Sequence, residues 1–425
     1  MRVLWFSNVP THDVWSLDRA DQARGGGWIG SLKDAILAKN PGVQLAVAFP
    51  AERLKEPFVS GSVTFFPMLE RHPVGSGVLR RWHHNTDRRS VLSACIDIVH
   101  NYNPDVVHFF GTERIFAKII PAIHIPSAIH IQGLLTVCTR MWFRSVPYTS
   151  MIWHERARDL ILGRGYLHAY LETRNSALRE REILSECTCV LGRTAWDRRV
   201  AYILAPRARY YSCDETLRPE FWEVVWRPQE RKRKVLYATI GEGFYKGLET
   251  LLEAFELVCD RTPEEVTLRI AGIKTESRIV SVARSSFAHS RRGSGVTFLG
   301  SISAREIAEE LTGADVFVHP SHADNSPNSL CEAMLIGTPI VSTNAGGIPS
   351  IVTDNVDGLL VQDGDPYAMA GAIFEILNDG NLAANLSERA RSRAKKRHDP
   401  DRIAEKIIAV YESLIGDTRS PTSPG

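Results

Sequence analysis

The chain has 425 residues, a length that suits two or three domains of ordinary size. Its 44% apolar and 24% charged residues are typical of a globular protein and exclude a largely disordered, collagen-like or coiled-coil chain. The net charge of +2 gives no support to a nucleic-acid-binding protein. No apolar run reaches about 18 residues, so the sequence predicts no transmembrane helix.

The cysteines and the first residues indicate a cytoplasmic chain. The seven cysteines are irregularly spaced and form neither a CxxC redox motif nor a zinc-binding pattern. The first apolar run, residues 3–6, is too short for a signal peptide. We therefore expect reduced thiols and a cytoplasmic location.

Short apolar runs alternate with amphipathic stretches in the first half of the chain. The runs predict strands at residues 3–6, 45–49, 63–66, 105–110, 127–131 and 188–191. The amphipathic stretches predict helices at residues 28–37, 91–102 and about 150–185. This alternation favours an open parallel sheet with helices on its faces.

The same alternation resumes after a charged segment at residues 230–234. Strands are predicted at residues 235–238, 267–270, 296–299, 316–318, 339–342 and 358–361, and helices at 247–258, 307–311 and 330–336. The sequence thus predicts an α/β protein with two Rossmann-like, doubly wound domains, residues 1–220 and 221–399. A helix at 400–416 is expected to return to the first domain, followed by a flexible tail at 417–425.

The most informative segment is residues 315–350. A predicted strand leads into the loop Asp324-Asn325-Ser326-Pro327-Asn328, and a helix follows with Glu332 inside it. Backbone N–H groups at a helix N-terminus suit a phosphate, and ligands bind at the carboxyl ends of parallel strands. Asp324 and Glu332 are therefore expected to face one ligand, with Gly346-Gly347 as a second close-approach loop.

This segment resembles glycosyltransferase family 4, the retaining nucleotide-sugar transferases with the GT-B fold, in which two Rossmann-like domains face a central cleft. The family has an acidic residue followed seven positions later by glutamate. The resemblance implies that Glu332 holds the ribose, that Asp324 contacts the donor sugar with residues 325–328, and that Ser329 and Leu330 line the phosphates. The family usually has glutamate where Asp324 stands.

The segment Gly241 to Gly247 resembles the family's Lys-Gly element before a helix. A cation there stabilises the charge that develops on the departing diphosphate, and Lys246 fits that role. Gly241 and Gly243 are expected to line the donor. The family commonly has arginine at the position of Gly241, so Arg193, Arg218 or a loop amide is a candidate substitute.

Three further features are candidates for the first domain's part of the site. Gly25, Gly26 and Gly27 precede a helix and are interpreted either as a phosphate and acceptor loop or as a plain flexible loop. The resemblance places His130 near the reacting sugar as a catalytic residue. It also places His108 and Arg193 as candidate cleft residues, although an ordinary buried histidine is the alternative for both histidines.

No metal site is predicted. Asp363-Gly364-Asp365 has the letters of a DxD metal motif, but Asp365 precedes Pro366 and an alanine-rich stretch, which indicates a helix cap. The other carboxylates and histidines lack metal-ligand spacing. We therefore expect metal-independent transfer with no cofactor, a UDP or GDP sugar being a substrate.

The sequence taken together predicts a retaining glycosyltransferase that acts on a glycan or a lipid-linked acceptor in polysaccharide assembly. The alternatives are a catalytically degenerate sugar-nucleotide-binding or scaffold protein and a GT-B nucleotide-sugar epimerase. The arginine-rich residues 151–186 are interpreted either as a peripheral contact with the inner membrane face or as an ordinary surface helix.

Overall fold

A computed structural model describes residues 1–14, 27–51, 53–69, 88–144, 149, 153, 155–163, 165–228, 232–285 and 295–419. The chain forms two compact units. The first unit comprises residues 1–139, 157–216 and 399–425, and the second comprises residues 140–156 and 217–398. Residues 140–156 thus cluster with the second unit, whereas the sequence division placed them in the first domain.

The first unit is built on an eight-stranded sheet in the order β3-β4-β2-β1-β5-β6-β7-β8. Its strands are β1 Arg2–Phe6, β2 Gln44–Ala51, β3 Phe58–Ser60, β4 Val63–Leu69, β5 Val106–Phe110, β6 Ser127–His130, β7 Cys189–Gly192 and β8 Arg209–Ser212. Among these described strands, β3 alone pairs antiparallel, on β4 at the sheet edge. The central strands β1 and β5 are buried almost throughout, which is why they read as predominantly apolar runs.

Helices cover both faces of this sheet. The helices in these parts of the chain are α1 Gly27–Lys39, α2 Arg88–Tyr102, α3 Leu135–Arg140, α4 Ala157–Ile161, α5 Tyr166–Glu186 and α6 Ala195–Leu204. The predicted long helix at 150–185 is instead divided, because Gly163 adopts a left-handed φ of 61° and Gly165 precedes α5. Thr194 and Asp197 form a capping box that starts α6.

The C-terminal helix α14, Pro400–Arg419, packs on the first unit. Its Ile403, Ile407 and Tyr411 lie in the same core cluster as Trp5. The Trp5 indole N–H donates to the Tyr411 hydroxyl at 3.0 Å. The helix runs to Arg419, past the predicted end at residue 416, and residues 420–425 of the predicted tail lie outside the described part.

The second unit is built on a six-stranded sheet in the order β11-β10-β9-β12-β13-β14, and its described pairings are all parallel. Its strands are β9 Arg233–Thr239, β10 Glu265–Ala271, β11 Val296–Gly300, β12 Val316–His319, β13 Ile340–Thr343 and β14 Leu359–Val361. Its helices are α7 Glu220–Glu223, α8 Leu248–Arg261, α9 Arg278–Ser285, α10 Ala304–Gly313, α11 Asn328–Ile336, α12 Pro366–Asn378 and α13 Gly380–Arg397.

Both sheets are therefore doubly wound, as the sequence predicted. The strand order of the second sheet reverses between β9 and β12, where the exits of both strands lie at one sheet edge. Such a switch point opens a crevice in which ligands bind. None of the helices in the described part is both long enough and apolar enough to cross a membrane.

Candidate functional site

The loop after β9 carries Lys246 in a tightly fixed turn. A short 3-10 helix, Phe244–Lys246, leads to Gly247, and α8 starts directly after it. Gly247 has a φ of +71°, and a Cβ atom there would lie 2.1 Å from the carbonyl oxygen of Pro320. Only glycine fits this position, so the turn packs closely against the segment that leaves β12.

That close packing brings Lys246 to Asp324. The Lys246 Nζ donates to Asp324 Oδ2 at 2.5 Å, and His319 Nε2 lies 3.5 Å from the same oxygen. The Asn325 backbone N–H donates to the other carboxylate oxygen at 3.0 Å. Burial alone would raise the pKa of Asp324, but Lys246 and His319 outweigh it and hold that pKa well below its usual range. Asp324 is thus an anion at neutral pH.

The glycine pair after β13 fixes Asp324 from a second direction. Gly346 has a φ of +57°, and a Cβ atom there would lie 2.1 Å from the Asp324 carbonyl oxygen. The Gly347 N–H donates to that same oxygen at 2.8 Å. The predicted close approach of this loop is therefore present, and its neighbour is the backbone of Asp324.

The loop after Asp324 opens helix α11 at the switch point. Asn325 and Ser326 are buried, Pro327 precedes the helix, and Asn328 is its first residue. The Asn328 side-chain oxygen is buried and has no hydrogen-bond partner among the described residues. An unpartnered buried acceptor costs stability unless a ligand or water supplies a donor, so the Asn328 oxygen is available to accept from a ligand hydroxyl or from water.

Glu332 lies one turn further along α11, at 5% exposure. The Arg218 Nη2 donates to Glu332 Oε1 at 2.9 Å, and the Arg218 Nε lies 3.3 Å from it. Burial raises the pKa of Glu332, and Arg218 opposes that rise. Arg218 was a candidate substitute for the cation missing at Gly241, but its guanidinium is bonded to Glu332.

Gly241 and Gly243, which precede Lys246 in its loop, differ in how closely they are packed. Among the described residues, no atom lies within 4 Å of a Cβ atom built on Gly241, whereas one built on Gly243 meets the Tyr245 ring at 2.6 Å. Gly241 therefore borders open space where the resembled family has an arginine. Gly243 is packed against the Tyr245 side chain, which a larger residue at this position would displace.

Asp365 is a helix cap, as predicted. Its side chain accepts from the Ala368 N–H at 2.9 Å, and Pro366 is the first residue of α12. Asp363 accepts from the Nε of Arg144 at 3.2 Å. The two aspartates thus have separate structural partners.

In the first unit, His130 is fully buried at the end of β6. Its ring packs edge-on against Trp28 at 5.2 Å and parallel to His108 at 5.5 Å. Burial, helped by the nearby Arg193 charge, lowers the pKa of His130 well below its usual value, so the ring is neutral. Its catalytic role stays a prediction. Gly27 begins α1, while Gly25 and Gly26 lie outside the described residues.

The candidate cleft residues His108 and Arg193 are also buried, with partners inside the first unit. The His108 Nδ1 is 2.5 Å from the Tyr411 hydroxyl, and burial lowers the pKa of His108 to about 3. The Arg193 guanidinium covers the Trp28 ring at 4.5 Å, and its Nε lies 3.6 Å from Glu215. Both side chains are therefore core groups, because each is buried against partners of its own unit.

Sequence reasoning missed two acidic residues beside the carboxyl edge of the first sheet. Glu113 follows β5 and accepts from the Asn8 side chain at 2.8 Å and from the Gly133 N–H at 3.2 Å. Glu180 of α5 accepts from the Leu135 and Thr136 N–H groups, which start α3. No local motif marks either residue, since their partners are remote in sequence.

The comparisons with known proteins concentrate on the second unit. Residues 220–393 match the family model described as glycosyl transferases group 1. The chain is 31% identical over 167 residues to the D-inositol 3-phosphate glycosyltransferase of Xylanimonas cellulosilytica. This span is 39% of each protein. It is 23% identical over 173 residues to the capsular polysaccharide biosynthesis glycosyltransferase CapM of Staphylococcus aureus, 41% of this chain and 44% of CapM. The chain thus spans less than half the length of these relatives.

The fold is shared over a longer span. A crystal structure of Anabaena HepE in complex with UDP-glucose superposes with a TM-score of 0.63 at 16% identity, covering 97% of this chain and all of HepE. The loop from Gly241 to Gly247, Asp324 and Glu332 all lie within the matched residues 220–393. The chain therefore has the GT-B fold that the sequence resemblance predicted, and its residues 220–393 match the glycosyl transferases group 1 family model.

Proposed function

We propose that this protein is a retaining glycosyltransferase that takes a sugar from a nucleoside diphosphate sugar without a metal ion. The observation that carries the proposal is the Lys246–Asp324 pair at the switch point of the second sheet. A cation and an anion held 2.5 Å apart suit the two ends of the bond that breaks, one facing a phosphate and the other facing sugar hydroxyls.

The proposed donor position follows α11. Backbone N–H groups at the start of this helix face a diphosphate favourably, because the helix dipole adds positive potential there. The Asn328 side-chain oxygen accepts a donor hydroxyl, and the Glu332 oxygen not bonded to Arg218 accepts the ribose hydroxyls. UDP is the first nucleotide to test, because the structurally similar HepE was crystallised with UDP-glucose.

The proposed reaction proceeds on one face of the sugar. The bond from the anomeric carbon to the diphosphate oxygen breaks, and the oxygen of an acceptor hydroxyl bonds to that carbon from the same side. The hydroxyl proton passes to the departing diphosphate. Lys246 stabilises the charge on that diphosphate, and Asp324 orients the sugar through its hydroxyls, so positioning and electrostatics supply most of the rate.

The proposed acceptor is a glycan or a lipid-linked glycan, and we assign it to the first unit. Glu113 and Asn8 lie at the carboxyl edge of that sheet, each partly exposed, and their carboxylate and amide are groups that bind sugar hydroxyls. A similarity to CapM favours a polysaccharide product. Contact of residues 151–186 with a membrane stays a prediction; Trp153 is 87% exposed in that segment.

One observation favours a second candidate, a sugar-nucleotide-binding protein without turnover. Gly241 stands where the resembled family has a second cation, and open space surrounds it among the described residues. A single lysine then has to stabilise the leaving diphosphate. Tight binding of a nucleotide sugar with no hydrolysis and no transfer would select this candidate.

The test is calorimetric titration with UDP, GDP, ADP and CDP in the presence and absence of EDTA, followed by UDP-glucose turnover. We expect selective binding that EDTA does not change. Lys246→Ala should lower turnover about 100- to 1000-fold, the loss typical of one removed oxyanion donor. Lys274→Ala, in the segment after β10, is the control for loss of a lysine. Turnover of Lys246→Ala near that of the unaltered protein would contradict the assignment.

A further inference from the structure

Residues 140–144 come from the first half of the sequence but belong to the second unit. Within them, Trp142 is only 6% exposed. Its ring centroid lies 6.4 Å from that of Phe244 and 6.1 Å from that of Tyr245. Trp142 therefore packs against the two residues that directly precede Lys246.

Arg144 is linked to α8, the helix that follows Lys246, through the polar side chains of Asp363 and His322. Its Nε donates to Asp363 Oδ2 at 3.2 Å, and that oxygen lies 3.7 Å from the Nδ1 of His322. The Nε2 of His322 is 2.7 Å from Glu249 Oε1, in the first turn of α8. A row of polar side chains, with separations of at most 3.7 Å, thus runs from Arg144 to the helix that follows Lys246.

The two sets of contacts meet at Tyr245. The His322 backbone N–H donates to the Tyr245 carbonyl oxygen at 2.8 Å, and the Lys246 ammonium lies 5.3 Å from the centroid of the Tyr245 ring. The aromatic side of this residue faces Trp142, and its backbone is held by His322. Both the peptide and the ring next to Lys246 are fixed by residues that the sequence motif does not contain.

We propose that Trp142 and Arg144 are positioning residues for Lys246, holding the turn in the conformation that presents the ammonium group to the leaving diphosphate. This inference rests on the proposed function, in which Lys246 faces that phosphate. A displacement of about 1 Å in a catalytic group costs roughly 100-fold in rate, so a loosened turn lowers turnover even when the donor still binds.

If Arg144 had a purely structural role, its loss would lower the thermal midpoint; the positioning role predicts a different result. The Arg144 side chain is 51% exposed and its pair with Asp363 lies at the surface, a setting in which ion pairs add little to global stability. Loss of Arg144 should therefore lower kcat while leaving the thermal midpoint almost unchanged. Donor affinity should also change little, because α11 and Glu332 hold the nucleotide.

The first experiment compares Trp142→Ala with Trp153→Ala, using hydrolysis of UDP-glucose as the readout. Trp153 is the matched control because it lies in the same segment and is 87% exposed. We expect Trp142→Ala to lower kcat about 10- to 100-fold with KM within about threefold, and Trp142→Phe to restore most of the loss. Trp153→Ala should be unaffected. An unchanged kcat in a folded Trp142→Ala variant would overturn the inference.

A double-mutant cycle with Lys246→Ala separates positioning from general weakening. If Trp142 acts only through Lys246, adding Trp142→Ala to Lys246→Ala causes no further loss, whereas additive losses would contradict the inference.

Should Trp142→Ala fail to fold, Arg144→Gln gives the same test, with an expected kcat loss of about 3- to 10-fold. The control is Arg156→Gln, because Arg156 is exposed. An Arg144→Gln variant with unchanged kcat would then overturn the inference. Normal turnover of Lys246→Ala would instead refute the proposed function itself.

Discussion

Replacing Asp324 by asparagine should tighten nucleotide binding while abolishing sugar transfer. The Asp324 carboxylate lies 2.5 Å from the Lys246 ammonium, which we assign to the leaving diphosphate. Because the pKa of Asp324 is held below its usual range, the full negative charge is present at neutral pH. Asp324 therefore repels an incoming phosphate and also competes with it for Lys246.

The size of the effect follows from the geometry. A phosphate oxygen in hydrogen-bond contact with Lys246 at about 2.8 Å lies within about 5.5 Å of Asp324. At an effective dielectric constant of about 20, the repulsion of two unit charges at that distance is about 3 kcal/mol. Solvent at the partly exposed pair reduces this, so we expect roughly 1–3 kcal/mol, or about 5- to 150-fold tighter UDP binding.

Calorimetric titration with UDP measures the change directly. The Asp324→Asn variant retains the Oδ1 acceptor for the Asn325 N–H, so the loop should keep its shape. Asp260→Asn, near the opposite end of α8, is the control for loss of one negative charge in the same unit. Transfer from UDP-glucose should fall at least 100-fold because the sugar loses its charged acceptor. Unchanged or weaker UDP binding by a folded Asp324→Asn variant would refute the placement of the phosphate beside Lys246.

Two further substitutions test other parts of the account. Glu332→Gln should weaken UDP binding about 10- to 100-fold, since a hydrogen bond to a charged group contributes about 1.5–3 kcal/mol. Burial raises the pKa of Glu332, so the folded state holds the Glu332 proton more tightly than the unfolded state does. The wild type should therefore lose stability relative to Glu332→Gln as pH rises above the ordinary glutamate range. Urea titrations of both proteins across that range would show no such divergence if the pKa of this carboxyl were unperturbed. Tyr411→Phe removes the hydroxyl that bonds Trp5 and His108. This change should lower the free energy of unfolding by about 1–3 kcal/mol in urea denaturation and leave UDP affinity unchanged. A loss below about 0.5 kcal/mol would mean that α14 is held by apolar packing alone.

The sheets were predictable because their central strands are buried on both faces. Residues 105–110 are mostly apolar and residues 316–318 entirely so, and these runs form β5 and β12. Strands β3 and β8 were missed because both are short, sit at the edges of the sheet and are only partly buried. The helix predicted over 150–185 is interrupted because Gly163 and Gly165 have conformations that periodicity does not encode.

The candidate site was predictable where its residues are close in sequence. The loop from Asp324 to Glu332 and the turn at Lys246 were identified, and the structure brings Lys246 to Asp324. The contacts of Trp142 and Arg144 were not predictable, because they join residues about 100 or more positions apart that carry no local motif. The surroundings of His108 were not predictable for a related reason, since its partner Tyr411 lies in the last helix.

The most direct test of the central claim is hydrolysis of UDP-glucose in EDTA, with the first sugar product followed by proton NMR before its anomers equilibrate. A metal-independent, retaining transferase that uses Lys246 should release α-glucose at a rate that EDTA does not change. Lys246→Ala should release it about 100- to 1000-fold more slowly. Release of β-glucose, or a rate that EDTA abolishes and added Mg²⁺ or Mn²⁺ restores, would contradict the account.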